Sequence, residues 1–230
     1  MHFKLVPNPC KLVKSSEPFV SRLAQPLCTC FTPLASSSTY LVGTSDGLVH
    51  RCLASTTTLV EHYQATFAGH GSAVQSVSCC PGNPLFFVTS DSSLSNSVAV
   101  WNDSSSDFGP LFFISNNRNC PVVGVCWCAF NPKLVAIAFE EGVVEVWDVT
   151  AVHLHDADVP LATLHLHKYL SSRVGGCEPS RITSLYWADS CPLMYVGTSA
   201  GDVVVMEVKG GMKGSVDDIK CLLKKKNTVL

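Results

Sequence analysis

A hairpin pattern that recurs along the chain is the feature that most restricts its fold. Residues 39–54, TYLVGTSDGLVHRCLA, alternate apolar and polar residues on both sides of Asp46-Gly47. An Asp-Gly pair favours the tight turn of a β-hairpin because glycine accepts the positive φ that this turn requires. The same pattern returns at residues 85–101, 134–149 and 194–208. The turns there are the Ser92–Ser97 insertion, Glu141-Gly142 and Ala200-Gly201.

Each hairpin belongs to a longer unit. A strand-like run with a proline-containing turn precedes the four hairpins, at residues 27–33, 74–84, 122–132 and 181–192. A short apolar run follows the first three hairpins, at residues 61–67, 111–115 and 161–167. Four strands repeating every 45 to 60 residues, roughly, are typical of β-propeller blades. The sequence therefore predicts an all-β propeller of about four four-stranded blades, an incomplete one.

The repeat also sets the expected boundaries. The blades are predicted at residues 27–70, 71–117, 118–167 and 179–210. Residues 1–26 form an N-terminal segment that supplies at most one or two strands of a preceding blade. Residues 211–230 form a tail with apolar residues at helical spacing, so it is either a short helix that docks on a partner or a frayed tail with a basic, solvated end.

Composition excludes several classes of protein. Hydrophobic residues make up 47% of the chain and charged residues 15%, which argues against a disordered protein. A net charge of -2 gives no field that would attract nucleic acid or an anionic membrane. The apolar runs are too short to cross a bilayer, and the N-terminus lacks the pattern of a secretory signal. The twelve cysteines are therefore expected to be free thiols in the cytoplasm.

The sequence offers little support for an enzyme. It lacks Gly-x-Ser-x-Gly and a phosphate-binding loop, and no cofactor is expected. A zinc site at the two His-x-His pairs is one alternative, and solvated histidines are the other; the residues are His153, His155, His165 and His167. Cys28, Cys30, Cys126 and Cys128 lie in apolar strand patterns without Cys-x-x-Cys spacing, which predicts buried thiols.

The second and third repeats resemble WD repeats. Gly69-His70 precedes the first strand of the second repeat, whose hairpin ends at Trp101, and Trp147-Asp148 ends the third hairpin. In the WD family a His, a Ser or Thr, an Asp and a Trp form hydrogen bonds that join the strands of a blade. The resemblance implies a structural tetrad of His70, Ser90 (or Thr89), Asp91 and Trp101. The other repeats lack several members of this set.

A narrower resemblance covers residues 27 to about 209. The stretches YLVGTSDGLVHRC, YQATFAGHGSAVQSVSCCPGNPLFF and VVGVCWCAFNP are similar to the last four blades of dynein intermediate chains. This implies a noncatalytic dynein subunit that binds a dynein heavy chain, with other intermediate and light chains as further partners. It also implies the cytoplasm and cytoskeleton, with the axoneme of a cilium or flagellum as the favoured location. The resemblance leaves open the cytoplasmic, axonemal and intraflagellar-transport branches, and a general WD-repeat adaptor is the alternative.

The resemblance raises a question about closure. That family is expected to have seven blades and an N-terminal region that holds light chains, whereas four repeats are visible here. The alternatives are a fragment of a longer product, closure against a partner, or an unusually small ring. Open ends would leave strand edges unpaired. The candidate partner contacts are residues of the connecting loops, namely Tyr63, Phe108, Arg118, Tyr169 and Arg173.

Overall fold

The structure, a computed structural model, consists almost entirely of antiparallel sheets. It describes residues 26–34, 38–54, 63–95, 97–104, 108–115, 117–155, 157–170, 181–210 and 214–223. Blade 1 contains β1 (Cys28–Pro33), β2 (Thr39–Thr44), β3 (Leu48–Leu53) and β4 (Tyr63–Ala68). Blade 2 contains β5 (Val74–Cys79), β6 (Phe86–Asp91), β7 (Val98–Asn102) and β8 (Phe112–Ile114).

The second half of the chain continues the series. Blade 3 contains β9 (Val122–Trp127), β10 (Leu134–Phe139), β11 (Val143–Asp148) and β12 (Ala162–His165). Blade 4 contains β13 (Ile182–Trp187), β14 (Leu193–Thr198) and β15 (Val203–Glu207). In every blade the strands pair in chain order, and within the described residues blade 4 has three strands where the others have four. The all-β fold of an incomplete WD-repeat propeller is confirmed.

The hairpin turns form where the sequence predicts them. Gly47, Gly142 and Gly201 have φ values of 83°, 88° and 86°, a backbone region in which a side chain would be strained. Blade 2 has no glycine at this turn. There the Asp91 carboxylate accepts hydrogen bonds from the backbone N and the hydroxyl of Ser93, at 3.0 and 2.5 Å. An aspartate that bonds to the backbone two residues ahead stabilises a turn without glycine.

The first strand of each blade (β1, β5, β9 or β13), called its inner strand, lies beside the inner strand of the next blade. The Ser76 hydroxyl accepts a hydrogen bond from the Val125 backbone N (3.2 Å) and donates one to the Val125 carbonyl (3.3 Å). Trp127 N donates to the Ser78 hydroxyl at 2.9 Å, and Trp187 N donates to Cys126 Sγ at 3.3 Å. Small polar side chains thus satisfy backbone groups that consecutive blades would otherwise bury without partners.

The hydrophobic core is divided among the three interfaces between consecutive blades. Between blades 1 and 2 it includes Leu41, Val49, Phe67, Phe87 and Trp101. Between blades 2 and 3 it includes Val88, Val98, Trp127, Ile137 and Trp147. Between blades 3 and 4 it includes Ala136, Val144, Trp187, Met194 and Val196. Because strand residues alternate between two faces, each sheet contributes one face to the preceding interface and the other to the next.

Short helices follow β11 and β12 of blade 3 and the last strand of blade 4. Helix α1 (Val149–His155) begins after Asp148, whose carboxylate accepts hydrogen bonds from the backbone N of Thr150 (2.8 Å) and Ala151 (3.1 Å). The alternative of a solvated histidine is wrong at His153, because the aspartate N-cap starts a helix in which His153 is buried. Helix α2 spans His167–Leu170. No helix among the described residues has both the length and the apolar character needed to cross a bilayer.

The described part of the C-terminal tail is a 3₁₀ helix at Val216–Leu223. Ile219 and Leu222 are buried in the core between blades 2 and 3, where they lie with Trp127 and Trp147. Leu223 is exposed. The tail therefore packs against its own propeller blades, and its two buried residues contact the core of this chain instead of a partner.

Candidate functional site: the interaction surface and the networks that support it

The WD-type network of blade 2 joins the loop before the sheet to two of its strands. His70 Nε2 lies 2.5 Å from the Thr89 hydroxyl, and Trp101 Nε1 donates to the same hydroxyl at 2.7 Å. His70 Nδ1 lies 3.4 Å from Asp91 Oδ2. The side chains of His70 and Asp91 are almost completely buried. The Thr89 hydroxyl thus gives the buried Trp101 an acceptor and connects it to His70, which stabilises the blade.

The hydroxyl of this network belongs to Thr89 and not to Ser90. Residues two apart on a strand point to the same face, so Thr89 and Asp91 lie together on the face that carries Trp101. Ser90 points to the opposite face, where its hydroxyl is buried and has no hydrogen-bond partner among the described residues. Of the two residues that the resemblance left open, the structure brings Thr89 into contact with His70 and Trp101.

The surroundings of Asp91 lower the pKa of its carboxyl group. Burial alone raises its pKa, but hydrogen bonds from His70 and from Ser93 together outweigh burial, so the pKa lies below the ordinary value. A carboxylate with a lowered pKa remains ionised and can accept hydrogen bonds over a wide pH range. Asp91 therefore supports both the tetrad and the turn that follows β6.

In blade 3 a different network surrounds Trp147, the tryptophan that corresponds to Trp101 of blade 2. Trp147 Nε1 donates to Glu145 Oε2 at 2.9 Å, and Arg118 Nε donates to the other oxygen of Glu145 at 2.6 Å. Arg118 also binds Glu141 at 3.0 Å, and its guanidinium carbon lies 5.6 Å from the centre of the Phe139 ring. The two carboxylates raise the pKa of Arg118 despite the opposing effect of burial. Trp147 is thus part of a network, whereas Asp148 caps helix α1.

Ion pairs also connect consecutive blades. Arg51 of β3 binds Asp103, which follows β7, and the carboxylate is largely buried. Arg181, which precedes β13, lies 2.9 Å from Glu140 in the hairpin of blade 3. The Arg181 side chain is 67% exposed, so solvent screens this second pair strongly. Blades 1 and 2 and blades 3 and 4 are therefore each joined by an arginine as well as by apolar packing.

The histidines of the zinc hypothesis lie in different surroundings. His153 is buried in α1 against Phe112, with 5.2 Å between ring centres, whereas His165 and His167 lie 5.4 Å apart at the end of β12. In the part of the chain that the structure describes, no group of three or more His, Cys, Asp or Glu residues is placed to hold a metal ion.

The cysteines in the described ranges are free thiols. Burial raises the pKa of Cys126 to about 11 and the pKa values of Cys79 and Cys80 to about 12. Neutral thiols of this kind pack as small apolar groups. Cys128 is buried as expected, but Cys28 is exposed. The prediction of a buried thiol at Cys28 is wrong, because no blade precedes blade 1 among the described residues.

Comparison with known proteins identifies relatives along most of the chain. No family model matches it. Mouse dynein axonemal intermediate chain 4 is 26% identical over 200 residues, which are 85% of this chain and 21% of that protein. The flagellar outer arm 78 kDa dynein intermediate chain of Chlamydomonas reinhardtii is 24% identical over 203 residues, 87% of this chain and 26% of that protein. This chain is similar to dynein intermediate chains over most of its length.

The similarity has clear limits. The chain spans about a fifth of the length of the mouse and rat forms of dynein axonemal intermediate chain 4, the rat form being 27% identical over 196 residues. A chain in the crystal structure of the mitotic checkpoint complex superimposes with a TM-score of 0.61 over 79% of this chain and 50% of its own length. At 17% sequence identity, that superposition shows the fold alone.

The candidate partner contacts of this intermediate chain-like protein lie in different settings. Phe108 is 40% exposed, with its ring 5.7 Å from that of Phe67. The guanidinium of Arg118 donates hydrogen bonds to Glu145 and Glu141. The sequence did not predict these two bonds. Tyr63 begins β4 and Tyr169 lies in α2, and the side chains of both fall outside the described residues. Arg173 also lies outside the described residues.

Proposed function

We propose that this chain is a noncatalytic, dynein intermediate chain-like subunit whose propeller blades bind a dynein heavy chain. The observation that supports this proposal is the extent of the similarity, which covers 85% of the chain. A sheet scaffold held by buried networks suits this role because it presents loops in fixed positions to a partner. Its binding energy would be concentrated in a few aromatic and arginine side chains.

The names of the relatives favour the axonemal branch. The mouse and rat proteins are named as axonemal and the algal protein as part of the flagellar outer arm. We therefore infer microtubule-based movement in a cilium or flagellum as the process, and the cytoskeleton of the axoneme as the location. Other dynein intermediate and light chains are proposed as further partners. The predicted boundaries, with blades at 27–70, 71–117, 118–167 and 179–210, are retained as part of this proposal.

Purification of the tagged chain from ciliated cells tests the proposal. We expect a dynein heavy chain among the proteins recovered in stoichiometric amount, identified by mass spectrometry. Recovery of a stable complex without any dynein heavy chain would reject the proposal and favour a general WD-repeat adaptor.

A pair of charge-reversal variants tests where the partner binds. Arg173→Glu changes a candidate contact in the long connection between blades 3 and 4. Lys209→Glu makes the same kind of change at a side chain that is 81% exposed after β15. If the connection binds the heavy chain, Arg173→Glu reduces heavy-chain recovery while Lys209→Glu retains it. Equal recovery with both variants would remove Arg173 from the interface.

A further inference from the structure

The two edges of the blade 3 sheet hold different parts of the chain. At one edge Arg118 binds Glu141, which lies in the turn between β10 and β11. At the other edge β9 ends, β10 begins and β11 ends, since Val135 pairs with both Trp127 and Trp147. The β9–β10 turn and helix α1 lie together at this second edge, because α1 follows β11 directly. The described part of the C-terminal tail crosses the second edge and contacts α1.

Residues 214–223, called the docking segment, begin at a glycine that lies against the β9–β10 turn. Gly214 N donates a hydrogen bond to the Phe130 carbonyl at 3.2 Å. A Cβ atom added to Gly214 would clash with Asn131 Oδ1 and would lie 3.0 Å from Pro132 Cδ. Asn131 is buried, and its Oδ1 also accepts a hydrogen bond from the backbone N of Lys133, so it has little room to move. The first residue of the segment is therefore closely fitted to this turn.

The helix of the docking segment begins with two reciprocal hydrogen bonds. The Ser215 hydroxyl accepts one from the Asp217 backbone N at 3.2 Å, and the Asp218 carboxylate accepts one from the Ser215 backbone N at 2.9 Å. This arrangement is a capping box, which fixes the first turn of a helix. The same Asp218 oxygen lies 3.7 Å from Lys133 Nζ. Asp218 thus starts the helix and pairs with a lysine of blade 3.

Two apolar side chains anchor the docking segment. Ile219 and Leu222 are 0% and 1% exposed, and both lie in the core between blades 2 and 3 with Trp127 and Trp147. Anchors three residues apart are the pattern by which a short helix binds in a groove. We call this groove, between the β9–β10 turn, helix α1 and that core, the tail groove. Other side chains of the segment face solvent, namely Asp217, Lys220 and Leu223.

We propose that the tail groove binds a short amphipathic helix of a partner protein, and that the docking segment competes with that partner for the groove. The segment defines the ligand class. It has a glycine, an acidic residue four positions later, and apolar residues five and eight positions after the glycine. Lys133 at the rim favours the acidic residue because the two charges are opposite.

The docking segment is suited to reversible release. Among its described side chains two are fully buried, and residues 211–213 join it to the end of blade 4. A short segment with few buried contacts opens at a lower free energy than a whole blade, so it can leave while the sheets stay folded. The groove lies at the edge of blade 3 opposite Arg118, and the proposal therefore goes beyond heavy-chain binding and does not depend on it.

Binding of a labelled peptide to two forms of the full chain tests this proposal. The probe is a fluorescein-labelled peptide with the sequence of residues 214–223. One receptor is the 230-residue chain with both Ile219→Asp and Leu222→Asp, whose own segment no longer fits the groove. We expect fluorescence anisotropy to give a Kd on the order of tens of micromolar for this double variant. The wild type should bind about tenfold or more weakly, because its tethered segment competes at an effective concentration in the millimolar range.

Three controls show whether the groove recognises the anchors of the segment. Leu223→Asp in the full chain is the matched variant, since Leu223 belongs to the same helix but is exposed, and it should bind the peptide as weakly as the wild type. A peptide with Gly214→Val should bind the double variant about tenfold or more weakly, because its side chain clashes with the β9–β10 turn. A peptide changed at the exposed Asp217 and Lys220 should bind as well as the original.

Circular dichroism of the double variant with and without peptide separates a folding defect from a binding defect. If the double variant loses part of its sheet signal, saturating peptide should restore that signal by filling the groove. Four results would each overturn the proposal: no binding to the double variant, equal affinity for the double variant and the wild type, full affinity of the Gly214→Val peptide, or no binding of the peptide changed at Asp217 and Lys220. Recovery of a dynein heavy chain enters none of these measurements, so the two proposals fail separately.

Discussion

Blades 2 and 3 satisfy the same buried tryptophan in different ways. In blade 2 the acceptor for Trp101 is the Thr89 hydroxyl on the second strand, and His70 bonds to that hydroxyl from the preceding loop. In blade 3 the acceptor for Trp147 is the Glu145 carboxylate on the same strand, and Arg118 occupies the place of the histidine. Both His70 and Arg118 precede the inner strand of their blade by four residues.

The register explains why the acceptor has moved. Thr89 pairs with Ala99 in blade 2, and the corresponding pair in blade 3 is Ile137 with Glu145. The polar member of this pair is therefore on the second strand in blade 2 and on the third strand in blade 3, where the second strand has the apolar Ile137. The comparison shows that a diverged repeat can keep the hydrogen bonds of its tryptophan although it loses the family's residue types. Variants that affect one network at a time can break or sharpen this comparison.

The largest effect is expected for Glu145→Ala. This change leaves Trp147 Nε1 and the partly buried guanidinium of Arg118 without their main acceptor, and should lower the free energy of unfolding by about 3 kcal/mol. Urea unfolding followed by tryptophan fluorescence measures it. Glu141→Ala is the control, because Glu141 is 42% exposed and its pair with Arg118 should contribute about 0.5 kcal/mol or less. Equal losses for the two variants would mean that Glu145 is not the principal acceptor.

The next effect is expected for Thr89→Val in blade 2. The change keeps the shape of the side chain but removes the hydroxyl that serves Trp101 and His70, at an expected cost of about 2 kcal/mol. Ser90→Ala removes the adjacent hydroxyl, for which the described part of the chain offers no hydrogen-bond partner, and should change stability by about 0.5 kcal/mol or less. The same unfolding measurement compares the two. A larger loss for Ser90→Ala would contradict the network as described.

A smaller effect on the free energy of unfolding is expected when the pH is lowered far enough to protonate Asp91. Since the pKa of Asp91 is lower in the folded chain than its ordinary value of 3.8, its stabilisation is complete above that value and is lost as the pH falls through the folded pKa. Asp91→Asn should remove this contribution, so its unfolding free energy should depend less on pH in that range. Urea unfolding at a series of acidic pH values measures the difference. Parallel curves for the variant and the wild type would exclude a pH-dependent role for Asp91.

The smallest effect is expected for Arg181→Ala, which removes an exposed ion pair between blades 3 and 4. Its cost should be about 0.5 kcal/mol or less and should disappear at high salt, since both side chains are solvated. Unfolding in low and high salt measures this. A cost that persists in high salt would show that Arg181 supports the interface by packing, and would weaken the distinction between buried and exposed pairs.

The repeated hairpin pattern predicted the sheets, but the residues that differ between repeats could not be assigned a structural role from the sequence. Asp46-Gly47 and Glu141-Gly142 identify their hairpins because the turn geometry requires glycine. The sequence does not identify Arg118 as a structural residue because the family pattern has a histidine at this place, although Arg118 precedes β9 by the same four residues as His70 precedes β5. Helix α1 was missed because its seven residues are too few for a periodic pattern, and only the cap at Asp148 indicates it.

The candidate site was less predictable than the fold. The Thr89 and Ser90 alternatives needed the strand register, which the serine-rich turn after Asp91 obscures in the sequence. Val203 in the third strand of blade 4 is exposed, whereas the valines at the same place in the other third strands, Val49, Val98 and Val144, are buried. The sequence has valine at all four positions, so only the structure shows this difference. Surface contacts with a partner leave no periodic signal, and Phe108 remains a prediction for that reason.

Sedimentation of a salt extract of axonemes tests the central claim most directly. If the chain is a dynein intermediate chain-like subunit, antibody against it should detect the protein in the same gradient fractions as a dynein heavy chain, and removing the heavy chain with a specific antibody should remove it too. A chain that sediments separately from every heavy chain, and stays in solution after their removal, would contradict the account.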